Sequence, residues 1–415
     1  MVHKTIWLLL AALPGFAGAA VIGHMAPAEP VTDARIATLP AAQQAAWHAY
    51  LARSQSLEAA DEAMLAAERA KASGPAPAAP AEGKSGGSGM PLDRPAAWYA
   101  SPEARHVADV IVSFQTPAGG WGKNVDRSGA LRQPGQRWVP GDHGYVGTID
   151  NNATTTELRF LARVQAQLPG AVGEAYRAAF LKGLRYLLDA QYPNGGFPQV
   201  YPLEGGYHDA VTFNDDALVD VTELLDSAAQ HQGDYAFLSA ASAAEARAAV
   251  ARALQVILAT QVTTAGTRTA WGQQYDALTL APAGARNFEP IALSSSESAA
   301  LLTYLMALPD PSPEVVASVY AGAGWLQRTA LLDIDWTAKS RDSGRQRVAH
   351  PGAGPIWSRY YDIATMKPIF GDRDRSIHDD VNELSLERRN GYAWYGTRPA
   401  DALARFAAWA PRHPQ

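Results

Sequence analysis

The chain reads as an all-α protein made of helical hairpins that curl into an α/α toroid, with loops lining a long substrate cleft. Three observations predict this. Capping signals followed by apolar residues at helical spacing recur from near Pro95 to the end of the chain. Strand-like alternation is scarce. One loop motif also returns behind successive helices: Gln115-Thr116-Pro117-Ala118-Gly119-Gly120-Trp121 is echoed by Gln191-Tyr192-Pro193-Asn194-Gly195-Gly196-Phe197. A degenerate third copy runs from Gln261 to Ala270-Trp271, and the three starts lie 76 and 70 residues apart. That spacing suits a helix pair plus loops in each repeat. Glycines after a helix permit a left-handed turn, and the aromatic that follows is read as a plug against the helices rather than a ligand platform.

In chain order, residues 1–20 carry Met-Val-His-Lys and then an apolar run ending in small residues at Ala17-Gly18-Ala19-Ala20. This is the pattern of a secretory signal peptide cleaved near Ala19 or Ala20, and it predicts a secreted or periplasmic protein. No other stretch approaches the ~20 continuous apolar residues of a membrane span. Residues 21–71 read as a helical N-terminal extension, helical from Ala41 to Lys71, with Trp47, Tyr50, Leu51 and Ser54 on one stripe. Its low apolar content suggests a helical hairpin or a partly ordered segment. Residues 72–95, rich in Ala, Pro, Gly and Ser, read as a linker. The patterned domain covers residues 96–415. There Ser101-Pro102 and Ser312-Pro313 cap helices, and Thr154…Glu157, Ser242…Glu245 and Ser294…Glu297 have the form of capping boxes. Tyr176, Phe180, Leu184, Leu187 and Leu188 form one apolar helix face.

Composition narrows the function classes. Hydrophobic residues make up 47% of the 415, enough for a large core without crosslinks. The absence of cysteine excludes thiol catalysis and thiolate metal sites. A net charge of −6 gives a nucleic-acid partner no support.

Two groups of residues could carry chemistry. Arg359, Arg373 and Arg388 stand fourteen and fifteen residues apart, and guanidinium forks grip carboxylates in bidentate fashion. Repeated arginines in an acidic protein suit a substrate with repeated carboxylates, although surface ion pairs are the commoner fate of arginine. Asp150-Asn151-Asn152 and Asn214-Asp215-Asp216 each precede a helix in adjacent repeats and could converge at one end of a toroid. Their oxygens suit a hard cation such as Ca²⁺, while capping alone accounts for either triplet in isolation.

Several long motifs occur in one order: T-I-D-N-N-A-T-T-T-E-L-R-F-L, Q-Y-P-N-G-G-F-P-Q-V-Y-P, V-T-F-N-D-D-A-L, E-P-I-A-L-S-S-S-E-S and P-I-F-G-D-R-D…E-R-R-N-G-Y-A-W-Y-G. Together they resemble the pectate lyases of polysaccharide lyase family 10, over roughly Trp98 to Trp409. The resemblance implies an (α/α)₃ toroid in residues 96–415 that cleaves α-1,4-polygalacturonate by β-elimination, leaving 4,5-unsaturated oligogalacturonides. It implies Ca²⁺ as cofactor at positions similar to Asp150, Asn151 and Asp215, and a catalytic arginine that resembles Arg373. Arg359 and Arg388 resemble the family's carboxylate-holding arginines, and Lys123, Asn124 and Arg286 look like further substrate contacts. The expected partner is the acidic polysaccharide, bound by a monomer, with neither nucleic acid nor membrane. Two alternatives stand beside this: a glycoside hydrolase on an α/α toroid using a carboxylate pair such as Asp150 and Asp215, and a non-catalytic pectin-binding protein.

Overall fold

The computed structural model describes residues 21–83, 89–141 and 146–415, so the apolar run before residue 20 lies outside the described residues. The described residues begin with a short strand, Val21–His24, then a single helical turn, α1 (Asp33–Ile36), and a long helix, α2 (Ala41–Lys71). The extension differs from a hairpin or partly ordered segment: α2 is one continuous helix of 31 residues docked on the main core. Its sparse apolar stripe suffices because it is aromatic. The Trp47 and Tyr50 rings lie 5.0 and 4.9 Å from the Tyr192 ring, and Tyr50 donates to Ala190 O at 2.9 Å. Polar anchors extend the contact, since the Leu203 amide donates to Ser54 Oγ at 2.8 Å and the Ala118 amide to Asp61 Oδ1 at 2.8 Å. Beyond α2, Glu82 bridges to Val125 and the Gly83 amide donates to Asn124 O at 2.9 Å, so this end of the stretch lies along the toroid.

The toroid follows. Helix α3 (Pro102–Ser113) is capped by Ser101 with proline in its first position. Three hairpins come next: α4 (Thr155–Gln167) with α5 (Glu174–Ala190), α6 (Ala217–Gln230) with α7 (Ala240–Ala259), and α8 (Ser295–Ala307) with α9 (Pro313–Arg328). Helices α4, α6 and α8 touch in series as an inner ring, while α3, α5, α7 and α9 touch in series outside them: an (α/α)₃ toroid. After the short α10 (Leu386–Gly391), α11 (Arg398–Trp409) packs on α8 and α9. Burial follows position. Nearly the whole of α8 is buried, as befits an inner helix, whereas α5 buries one face built on Tyr176, Phe180, Leu184, Leu187 and Leu188. On α7 the buried face is mostly alanine (Ala243, Ala246, Ala249 and Ala253), which lets it lie close against α6.

The repeated loop closes each outer helix. The Gln115 amide group donates to Gly119 O in its own loop and to Ala179 O of α5, both at 2.8 Å. Gln191 does the same with Gly195 O and Ala249 O of α7, and Gln261 with Thr269 O and Ser318 O of α9. Each glutamine therefore ties its turn to the next outer helix. Gly119 and Gly195 have φ of 108° and 98°, and a Cβ on either would meet a carbonyl oxygen of the next outer helix, at 2.7 Å (Lys182) and 2.5 Å (Arg252). The third copy dispenses with the glycine pair by making its turn as a hairpin, Thr263–Thr264 against Thr267–Arg268.

Candidate active site

Each loop that returns from an outer helix to an inner one begins with a buried aromatic: Trp121, Phe197 and Trp271 have no exposed surface. The indoles of Trp121 and Trp271 each donate at 2.7 Å to a carbonyl of the preceding outer helix, Ile111 O and Ile257 O. They are plugs, as the sequence suggested. A fourth plug, Trp357, donates to Leu326 O of α9 at 2.8 Å. It escaped sequence reading because no glutamine or glycine pair marks its turn.

The plugs set a phase. Two residues beyond them stand Lys123, Gln199, Gln273 and Arg359. Lys123, Gln199 and Gln273 line one cleft of about 340 Å³. Arg359 reaches that cleft's wall, with Nη2 3.6 Å from Asp215 Oδ1, 3.0 Å from Asn214 Oδ1 and 2.6 Å from Glu297 Oε1. Sequence reasoning missed Gln199 and Gln273, although the signal was present in the repeat itself.

The two oxygen-rich triplets do converge. Asp150–Asn152 and Asn214–Asp216 form matching 3₁₀ turns that pack against each other at the entrances of α4 and α6. Asn151 (φ 52°) and Asp215 (φ 49°) both adopt the left-handed conformation that Asn and Asp tolerate best among residues with a side chain. Asp150, Asn151 and Asp215 line the cleft, with Lys123, Arg286, Tyr207, His208 and Glu289 around them. The Lys123 ammonium pairs with Asp150 Oδ2, while Asp150 Oδ1 is buried without a hydrogen-bond partner. Burial raises the Asp215 pKa, Arg359 opposes the shift, and the charges of Glu297 and Asp150 add to it.

Arg286 joins this cleft to the other expected arginines, which are not among its lining residues. Arg286, Arg373 and Arg388 surround the buried Phe288 ring, their guanidinium carbons 5.0, 5.0 and 4.2 Å from its centroid. Arg373 is the exposed member: its side chain is 61% accessible and pairs with Glu387 at 3.2 Å. The buried Arg388 binds the same carboxylate, and the two arginines hold Glu387 well below the usual range, at about 2. Asp372 and Asp374 do not orient the Arg373 guanidinium; they brace its turn, accepting from Ser385 and from Ser376. Asn124 (φ 60°) turns the chain beyond Lys123, and its side-chain oxygen is buried without a partner.

Two glutamates read as capping-box partners are counter-ions of arginines. Glu157 is the buried partner of Arg127 at 2.9 Å, and Glu297 is that of Arg359 while also accepting from the Ser294 hydroxyl. The Ser242…Glu245 box is also displaced, because α7 starts earlier, capped by Ser239.

The sequence model of the pectic acid lyase family matches residues 115–403, which contain the whole toroid from the first repeated loop onward. The chain belongs to the pectate lyases of polysaccharide lyase family 10. This pectate lyase is similar to the family 10 polysaccharide lyase from Cellvibrio cellulosa, at 34% identity over 77% of this chain and 97% of that one, with a TM-score of 0.66. A variant of that enzyme in complex with trigalacturonic acid is 33% identical over 78% of this chain and 98% of that one, with a TM-score of 0.67. No curated protein matches the chain. Among the described residues of the lyase no helix is long and apolar enough to cross a membrane, and no three His, Asp or Glu residues cluster as a metal site.

The donor set nevertheless fits a hard cation when amide oxygens are counted. Two carboxylates, with the charge of Asp150 adding to the raised proton affinity of Asp215, an asparagine beside them and a buried carboxylate oxygen without a partner make an all-oxygen group.

Proposed function

We propose that the protein is an exported, calcium-dependent lyase that cleaves polygalacturonate by β-elimination within this cleft. The observation that carries the reading is the convergence of the two triplets and the cationic groups of Lys123, Arg286 and Arg359 on one cleft. Asp150, Asn151 and Asp215 would hold Ca²⁺, leaving positions for uronate oxygens. Bound there, the ion would neutralise the uronate carboxylate and so acidify the C5 hydrogen.

The arginines divide the remaining work by anchoring. Burial opposes the Arg359 cation, but the charge of Glu297, helped by the tyrosines and Asp215, lifts its pKa well above the ordinary arginine value. Glu289 does the same for Arg286 against the same opposition. Cations held this firmly are carboxylate holders and not bases. Arg373 is exposed, tied to one exposed carboxylate, and takes the role of base. In its neutral form it accepts the C5 proton. The C5–H electron pair becomes the C4=C5 bond, the C4–O4 bond breaks, and O4 leaves with a proton from solvent. Arg373 then returns its proton to solvent, and no water is consumed. Arg388, packed with Arg373 on Phe288 and sharing Glu387, keeps positive charge beside it.

Incubation with polygalacturonate and Ca²⁺ is expected to produce the ultraviolet absorbance of a C4=C5 bond conjugated to a carboxylate. Chelator should abolish it without unfolding the chain. New reducing ends without that absorbance would identify a hydrolase instead, and full activity in chelator would remove the ion from the reading. Highly methyl-esterified pectin is expected to be a poor substrate, because esterification at the cleavage position removes both the arginine fork and the ion's ligand.

A further inference from the structure

A second cavity, of about 420 Å³, lies between α2 and the toroid. One wall comes from α2, outside the residues matched to the family, through Glu58, Asp61, Glu62 and Leu65. The facing wall comes from Trp138, Pro202, Leu203 and Glu204. Glu204 also lines the main cleft, so the two cavities adjoin at that side chain.

Two polar groups on this cavity are buried and unsatisfied. Asp61 is 3% exposed; its Oδ1 accepts the Ala118 amide, and its Oδ2 has no partner. Trp138 is 1% exposed; the Arg132 guanidinium covers its ring at 4.3 Å, and its indole Nε1 has no partner. A buried acceptor and a buried donor left open are costly unless something satisfies them. Sugar hydroxyls, which both donate and accept, suit such an acceptor and such a donor, while Leu65, Pro202 and Leu203 suit a pyranose ring's apolar face.

Charge decides which sugar. Asp61, Glu58, Glu62 and Glu204 outnumber the two arginines, Arg69 and Arg137, that line the cavity. Burial raises the pKa of Asp61 to about 6, and it also raises those of Glu58 and Glu204. A free uronate carboxylate would add a further negative charge where carboxylates already resist ionisation.

We propose that α2 builds a subsite for one uncharged pyranose unit, a methyl-esterified galacturonate or a neutral hexose, next to the cleft that takes the charged chain. The inference rests on the cleft being the polygalacturonate site. It assigns the enzyme to partly esterified or interrupted pectate, with free acid at the point of cleavage and an uncharged unit beyond it.

The test uses the full chain and three sets of oligogalacturonides of equal length. Their terminal unit, at either end in turn, is the free acid, the methyl ester or neutral galactose. Calorimetric Kd is measured together with initial-rate KM and kcat. The expected result is about tenfold tighter binding with an uncharged end, with KM lowered and kcat little changed. A gain with only the ester, or only galactose, identifies which uncharged unit the cavity selects. Trp138→Phe, which removes the indole N–H, and Leu65→Trp, which fills the groove from a half-buried position, should each erase the gain. Equal or tighter binding of the free acid by the wild type overturns the proposal, and so does a gain that persists in both variants. Failure of all three sets to yield unsaturated product would defeat the proposed function instead, and the Kd comparison would still report on the cavity.

Discussion

Arg359 and Arg373 show how much a guanidinium's role depends on what holds it. Arg359 is the side chain two residues past a plug, and its partner Glu297 is 2% exposed. Arg359→Ala is therefore expected to weaken substrate binding and also to leave a buried carboxylate without its counter-ion, held only by the Ser294 hydroxyl. Loss of one partner from such a pair costs roughly 3–5 kcal/mol, so a lowered unfolding midpoint should accompany the raised KM. If KM rises with no loss of stability, the Ser294 hydroxyl suffices to hold Glu297 in place. Arg373 has only the exposed Glu387 as ion-pair partner and lies over the Phe288 ring, which Arg286 and Arg388 also cover. Arg373→Lys is expected to lower kcat by about 10³ with KM and stability nearly unchanged, as for loss of a general base. Initial rates of unsaturated product across pH decide it; near-normal turnover at alkaline pH would hand the base's role to another group, with Lys123 the next to test.

At the scale of elements, the loops owe their positions to neighbours remote in sequence. The turn carrying Arg373 is flanked by the pairing of Ser376–His378 with Phe370–Gly371 on one side and with Val21–His24 on the other. The Met25 amide donates at 3.0 Å to the carbonyl of Arg375, a residue with φ of 72°. The Met25 side chain meanwhile sits where a Cβ on Gly284 would fall, two residues from Arg286. The N-terminal strand thus straps two site loops together. Met25→Pro removes the amide and is expected to lower kcat several-fold while leaving the toroid's unfolding midpoint in place; Met25→Ala, which keeps the amide, should cost less activity. Equal kcat in wild type and Met25→Pro would show the strap to be ornamental to the reaction.

For the whole molecule, the inner ring carries an electrostatic strain that pH should reveal. Asp220 of α6 has its pKa raised from 3.8 to about 6 by burial, with Asp216 and Glu223 adding to the shift and Arg159 opposing it. Because the folded value exceeds the unfolded one, the folded state holds the proton more tightly. Relative stability is greatest below about pH 4 and is lost as pH rises through 6. Asp220→Asn removes that loss. Its stability relative to wild type is expected to grow between pH 4 and pH 7 by at most about 3 kcal/mol, read from urea unfolding at both values. A difference that does not change with pH would show that Asp220 titrates normally.

The sequence by itself determined what local chemistry and repetition can determine. Helix α2 has the bounds its spacing predicts, Ser101 and Ser312 cap where a proline follows, and the Gln…Gly-Gly-aromatic motif marks turns with buried plugs. These features are legible because hydrogen bonds within a few residues, and the steric freedom of glycine, fix them wherever they occur. The triplets at Asp150 and Asn214 were legible for the same reason, as oxygen-rich turns at helix entrances. Only the tertiary structure decided which partners those turns meet. It made Glu157 and Glu297 counter-ions of arginines, found the fourth plug at Trp357, braced Arg373 with α10 and the N-terminal strand, and set α2 against Trp138 to form a second cavity. Those contacts join residues up to several hundred positions apart, and nothing in local spacing encodes them. They arise from closing the ring of hairpins, which brings every loop between an outer and an inner helix to the same end of the toroid.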